Sequence, residues 1–170
     1  ITAGPLTGGI AGNGRIVLVT SGAGSNIVAT GDIATTATSL ADTAAAIRLD
    51  APQDVALNAV NLTANGSGAI QIRAGRNANL LATDICCSAN STRDLNAAGD
   101  VVIDAASILR TADDLLQTQG QAVRLTASNN IAAFGDLTAR NGNLLIQAGT
   151  TAANTIDFTG RTLSAAGNLN

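Results

Sequence analysis

Read only as apolar and polar positions, the 170-residue chain keeps returning to one phrase, apolar-x-apolar-x-small. The copies are Val17-Val19-Ser21, Ile47-Leu49-Ala51, Ile70-Ile72-Ala74, Val101-Ile103-Ala105, Val123-Leu125-Ala127, Leu144-Ile146-Ala148 and Ile156-Phe158-Gly160. Alternation with a period of two is the pattern of a strand with one buried face, so each phrase predicts a strand carrying its apolar pair and its small residue inward. Successive copies start 30, 23, 31, 22, 21 and 12 residues apart. Three intervals cluster at 21 to 23 and two are longer by roughly eight, as one repeat length with inserted loops would give. The insertions are expected near 36–46 and 86–93, and the last copy is expected to be the next strand of the same turn.

Weaker alternating fragments fill the spaces: Ile27 to Ala29, Val55 to Ala59, Leu62 to Ala64, Leu80 to Ala82, Leu95 to Ala97, Ile131 to Ala133, Leu137 to Ala139 and Leu163 to Ala165. A repeat therefore holds about three short strands, and Asn13-Gly14, Gly68, Gly99, Gly120 and Asn141-Gly142 punctuate it where a corner would demand positive φ or a tight bend. The prediction is an all-β chain coiled on itself in parallel, a β-helix or β-solenoid of about seven coils. With coils ~4.8 Å apart the rod would be roughly 35 Å long. Ile47, Leu49, Ile70, Ile72, Val101, Ile103, Val123, Leu125, Leu144 and Ile146 would form its inner ladders. One helix-prone run, Ser39 to Ile47, lacks an apolar stripe and is expected to be a loop with at most a helical turn.

The same register puts Thr20, Asp50, Arg73, Asp104, Thr126, Gln147 and Thr159 on the outer wall, with Arg73 between Asp50 and Asp104. Unlike charges on adjacent strands contribute about 0.2–1 kcal/mol each, and a slip of one residue would drive them into the core. The closing LSAAGNLN reads as a further repeat beginning, so the chain is expected to be a single β-helical segment, 1–170, of a longer array.

Composition narrows the chemistry. There are 34 Ala, 20 Thr, 18 Gly, 18 Leu, 16 Asn and 14 Ile, and no Lys, Glu, His, Met, Trp or Tyr. A helical bundle loses its usual formers, and most general acids and bases are missing, so no enzyme is expected. A formal charge of −3 with two Phe offers neither a basic patch nor a stacking platform, which argues against nucleic acid. No apolar run approaches a membrane span and no signal-peptide pattern opens the chain, so membrane insertion is not expected.

GDLTARNGNLLIQAG (135–149), AAGDVVIDAAS (97–107), GQAVRLTASNNIAA (120–133) and LTANGSGAIQIRAG (62–75) resemble the repeats of filamentous-haemagglutinin-like exoproteins of the two-partner secretion pathway, which include large adhesins and contact-dependent growth inhibition proteins. The resemblance covers nearly the whole chain, most strongly 54–75 and 95–149. It implies a right-handed parallel β-helix, export through a partner outer-membrane transporter and a place at the bacterial cell surface, with the remainder of its own long exoprotein as the main partner. The family's secretion domain carries an Asn-Pro-Asn-Gly type motif, whereas both prolines here stand elsewhere, as Gly4-Pro5-Leu6 and Ala51-Pro52-Gln53. Shaft repeats are the closer match.

The remaining candidates are few. Cys86 and Cys87 are adjacent, which suits a strained vicinal disulfide, a link to another chain or two free thiols, and is no metal-binding spacing. Asp100 and Asp104 would lie ~13 Å apart along one strand, too far for a glycosidase pair, and Arg73 would separate Asp50 from Asp104. Calcium-binding nonapeptides and phosphate loops are absent from the sequence, so neither metal nor cofactor is expected. Sequons at Asn61, Asn65 and Asn90 match the number chance supplies, and the charge-broken outer Thr ladder suits ice poorly. The sequence thus favours a structural shaft that holds a distal functional region away from the cell. The alternatives are a β-helical recognition module binding a receptor or glycan through its insertions, and, more remotely, a polysaccharide-cleaving β-helix.

Overall fold

A computed structural model describes residues 10–38, 45–58, 60–64, 68–81, 95–97, 99–109, 117–132, 136–149 and 154–170. Among these residues there is no helix, only strands and turns. The strands are β1 (Ile10–Gly12), β2 (Ile16–Val19), β3 (Ile27–Ala29), β4 (Ile33–Thr35), β5 (Ile47–Ala51), β6 (Val55–Asn58), β7 (Leu62–Ala64) and β8 (Ile70–Leu81). They continue with β9 (Leu95–Ala97), β10 (Val101–Leu109), β11 (Gln117–Gly120), β12 (Val123–Ala127), β13 (Ile131–Ala132), β14 (Asp136–Ala139), β15 (Leu144–Gln147) and β16 (Leu163–Ala165).

Each sheet takes every second or third strand of the chain. One sheet runs β1-β4-β7-β9-β11-β14-β16, and the second runs β2-β5-β8-β10-β12-β15, with β3, β6 and β13 attached beside the long strands β8 and β10. All the pairings are parallel. Parallel neighbours cannot be joined by hairpins, so the chain must travel around before returning to each sheet. The result is an all-β, parallel stack compatible with a β-solenoid.

The register explains the repeat. Ile16, Ile47, Ile70, Val101, Val123 and Leu144 occupy one column of the second sheet, and Leu18, Leu49, Ile72, Ile103, Leu125 and Ile146 occupy the next inward column. All of these but Leu18 and Ile146 are buried; those two pack partly buried against the same core. Ile33, Leu62 and Leu137 of the first sheet belong to that core too. Fully burying one such side chain is worth about 1.5–3 kcal/mol, so the columns are the main source of stability.

Two details depart from the sequence expectations. The first phrase is out by one residue: Ile16 and Leu18 are inward, while Val17 and Val19 face out, 44% and 53% exposed. Ile16-Val17-Leu18-Val19 is apolar at every position, so alternation alone sets no parity; pairing does, because Val17 and Val19 align with Arg48 and Asp50. The column therefore begins at Ile16, and Val19 rather than Thr20 is the first outward member. Likewise Ile156 bridges Ile131, in the strip continued by β13, so Thr159 does not extend the outward ladder.

At the corner glycines the bend, and not positive φ, is the feature present, as at Gly14, Gly99 and Gly142. Among the described residues the one glycine with positive φ is Gly160, at 73°, outside the five marked corners. Close approach is the requirement at Gly68, where a Cβ would run into the Ala37 carbonyl oxygen and sit 2.6 Å from the Ala46 Cβ. Of the expected insertions, 86–93 lies outside the described residues, as does 39–44 of the helix-prone run; Ile47 at the end of that run begins β5.

Candidate functional site

Polar chemistry concentrates in two places, the outer wall of the second sheet and the corners. On the wall, Asp50, Arg73 and Asp104 are consecutive partners along the stack, followed by Thr126 and Gln147. The ion pairs run differently from a simple Asp-Arg-Asp ladder. Asp50 accepts from Arg48, two residues earlier on the same face of β5, at 2.5 Å. Asp104 draws in Arg124 at 3.1 Å and Arg73 at 3.8 Å. Arg48 and Arg124 were not singled out in the sequence; they lie in the neighbouring outward column, Arg48-Gln71-Val102-Arg124.

That column also holds an anomaly. Gln71 is only 1% exposed and neither atom of its amide has a hydrogen-bond partner, a costly arrangement of roughly 1–3 kcal/mol for an unsatisfied buried polar group. Beside it, Asp50, Arg73, Asp104 and Ser128 border an open depression of about 470 Å³, floored by Ala51, Ala74 and Ala105. Asp50 and Asp104 are two strand spacings apart, about 9.6 Å, with Arg73 between them, and each carboxylate already accepts from a guanidinium. The arrangement is that of charge partners, and it brings no free acid–base couple together.

The corners carry a device the sequence reading missed. In a parallel ladder the first inward residue donates its N–H to the carbonyl of the residue just before its partner, leaving that residue's own N–H one step beyond the ladder. An Asp or Asn one coil earlier accepts it. Asn26 accepts from Asp54 at 3.0 Å, Asp32 from Asn61 at 2.8 Å and Asp54 from Asn77 at 3.1 Å. Asp100 accepts from Ala122 at 3.1 Å, Asn130 from Thr155 at 2.9 Å, Asp136 from Thr162 at 2.8 Å and Asn143 from Asn168 at 2.9 Å. All seven bonds point the same way, side chain of one pass to backbone of the next, at turns leading into each strip of strands. The available signal was an Asp or Asn immediately before an apolar phrase.

Asp54 has the richest set of partners. Its carboxylate accepts from Arg76 through both Nε, at 2.8 Å, and Nη2, and from the Asn77 backbone. The Arg76 hydrogen bond, aided by Asn77, holds the Asp54 pKa below the ordinary carboxylate value against the opposing effect of burial; Arg76 is raised in turn. Asp157 is also lowered, by the Thr159 backbone N–H and hydroxyl.

Cys86 and Cys87 lie outside the described residues, as do the sequons at Asn65 and Asn90. Asn61 is described, and both its backbone N–H and its amide nitrogen donate to Asp32. Among the described residues no group of three or more His, Cys, Asp or Glu side chains is placed to hold a metal ion, and no helix is long and apolar enough to cross a membrane. Compared with known proteins, the chain matches no family model, no curated protein and no solved structure.

Proposed function

We propose that the chain is a length of right-handed parallel β-helix, about seven coils of roughly 21–23 residues with two inserted loops, serving as a structural shaft segment of a secreted bacterial surface exoprotein. The reading rests on the resemblance of its repeats to filamentous-haemagglutinin-like shafts. The observation that carries it is the pair of inward columns that keep register from β2 to β15. Each pass buries its apolar columns against the next, and the corner bonds tie passes to their successors at seven turns. Reach then grows with the number of passes, and a distal adhesive or toxic region is held away from the cell. The work is mechanical and assigns no catalysis, cofactor or metal to these residues.

A second reading, recognition of a receptor or glycan, finds one supporting observation in the depression bordered by Asp50, Arg73, Asp104 and Ser128. One experiment separates shaft from anything else. Excising residues 101–122 from the full-length parent sets Val123 on the column position of Val101, one pass removed without a change of register. The shaft reading expects a protein still exported through its partner transporter and labelled by antibody on intact cells. Loss of export, or labelling only after permeabilisation, would overturn it.

A further inference from the structure

Of the three Asn-Gly pairs in the sequence, Asn65-Gly66 lies outside the described residues, and the other two occupy equivalent turns, each leading from the first sheet to the second: Asn13-Gly14 between β1 and β2, and Asn141-Gly142 between β14 and β15. Both Asn side chains are exposed and both glycine carbonyls accept a hydrogen bond, at Gly14 from the Thr35 hydroxyl at 2.5 Å, but the packing and the amide partners differ. Asn13 and Gly14 are exposed, and open space surrounds the position a Gly14 Cβ would take. The side-chain carbonyl oxygen of Asn13 accepts a hydrogen bond from the Thr36 hydroxyl at 3.2 Å. At the other turn the Asn141 amide nitrogen donates to the Gln121 side chain at 2.7 Å, and the Asn141 backbone N–H donates to the Gln121 carbonyl. Gly142 is crowded, with Ala122 and Gln121 atoms 3.0 Å from the position of a Cβ, and its carbonyl accepts from Gly167.

We propose that Asn13-Gly14 is a self-modification site, at which Asn13 converts through a cyclic imide into isoaspartate and aspartate, while the fold protects Asn141-Gly142. The Gly14 backbone nitrogen attacks Asn13 Cγ, forming a C–N bond. The oxygen of Asn13 takes up the developing negative charge, where the Thr36 hydroxyl is placed to stabilise it. The Cγ–Nδ2 bond then breaks, and ammonia leaves with the proton given up by Gly14. Water next opens the five-membered imide. Cleavage at Cγ leaves an ordinary backbone with aspartate, whereas cleavage at the main-chain carbonyl routes the chain through Cγ as isoaspartate. The balance is one water consumed and one ammonia released, with no change in oxidation state.

Asn141 is exposed as well, but it is held differently. Its leaving nitrogen is held by Gln121, its own backbone N–H is tied to the Gln121 carbonyl, and Gly142 packs closely against Ala122 and Gln121, which restrains the turn from bringing the Gly142 nitrogen onto Cγ. Conversion at Asn13 adds a negative charge to a chain of formal charge −3 and, as isoaspartate, lengthens the main chain in the turn that joins β1 to β2. The first pass would loosen with age while the later passes keep their register.

Trypsin separates the two sites, since cleavage after Arg15, Arg140 and Arg161 yields peptides 1–15 and 141–161. The intact folded chain, held in mildly alkaline buffer at physiological temperature, should convert in peptide 1–15 roughly tenfold faster than at Asn141, the rate equivalent of one or two net hydrogen bonds. In concentrated urea the two sites should convert alike. Thr36→Val should slow Asn13 by about two- to fivefold through loss of one hydrogen bond, without changing Asn141. Gly14→Ala, which the open space admits, should nearly abolish conversion at Asn13 while leaving the native circular dichroism. Equal rates at the two sites in the folded chain would overturn the proposal, as would an unaltered rate in both variants.

Discussion

Asp54 shows how one side chain serves two neighbours. Its 15% exposed carboxylate caps the Asn77 N–H on the next pass and binds the exposed guanidinium of Arg76. A carboxyl whose folded pKa lies below its unfolded value favours the folded state fully above the unfolded pKa, and that contribution is lost as pH falls through the folded pKa. The melting temperature should therefore drop on acidification below the ordinary carboxylate range, and Asp54→Asn should flatten that drop. The Asn variant keeps an oxygen to cap Asn77 but loses the charged partner for Arg76. Thermal melts across acidic pH check this; an identical acid dependence in wild type and variant would remove Asp54 from the explanation. The corner role of Asp and Asn was only half legible in the sequence. Their abundance at turns was plain, yet the bonds that use them join residues 22 to 29 positions apart, and no local pattern reveals which N–H is left over at the end of a ladder.

At the scale of the element, strands were legible where apolar and polar residues alternate, and illegible where they do not. β5, β8, β10 and β12 carry charges or amides between their apolar residues, and their parity follows from the sequence. β2 has four apolar residues in a row and was read one step out. β1, β4 and β11 were not recognised at all. β11, Gln-Thr-Gln-Gly, has no apolar residue to announce it and is defined by its backbone pairing with β9 on one side and β14 on the other. The parity of β2 can be measured. Replacing Val17 and Val19 together by Thr should change stability by less than about 0.5 kcal/mol, as for other surface substitutions. Ile16→Ala should cost about 2 kcal/mol or more, because it opens the first inward column. Urea denaturation would resolve the two, and the reverse order of effects would place Val17 and Val19 inside.

For the whole molecule the consequence of the register is length. Val19, Asp50, Arg73, Asp104, Thr126 and Gln147 stand on successive passes of one outward column, although their spacing in the sequence varies from 21 to 31 residues. Extra residues in a pass do not displace the column, since a loop closes back on the same pairing at a cost that grows only slowly with its length. A parallel stack built this way tolerates insertions and sequence drift at its corners provided the inward columns stay apolar. The columns were visible in the sequence because burial imposes them at every pass, and so was the Arg73–Asp104 pair; the ion pairs of Arg48 and Arg124 were not, because these two choose their partners by side-chain reach rather than by period. Distance between passes is the most direct test. Nitroxide labels placed in pairs at Val19 with Thr126 and at Val19 with Gln147, in a chain carrying Cys86→Ser and Cys87→Ser, report the four- and five-pass separations by pulsed electron resonance. The account predicts backbone separations of about 19 Å and 24 Å, one strand spacing apart. A Gln147 pair no farther apart than the Thr126 pair would contradict a single stack in which each pass lies one step beyond the last.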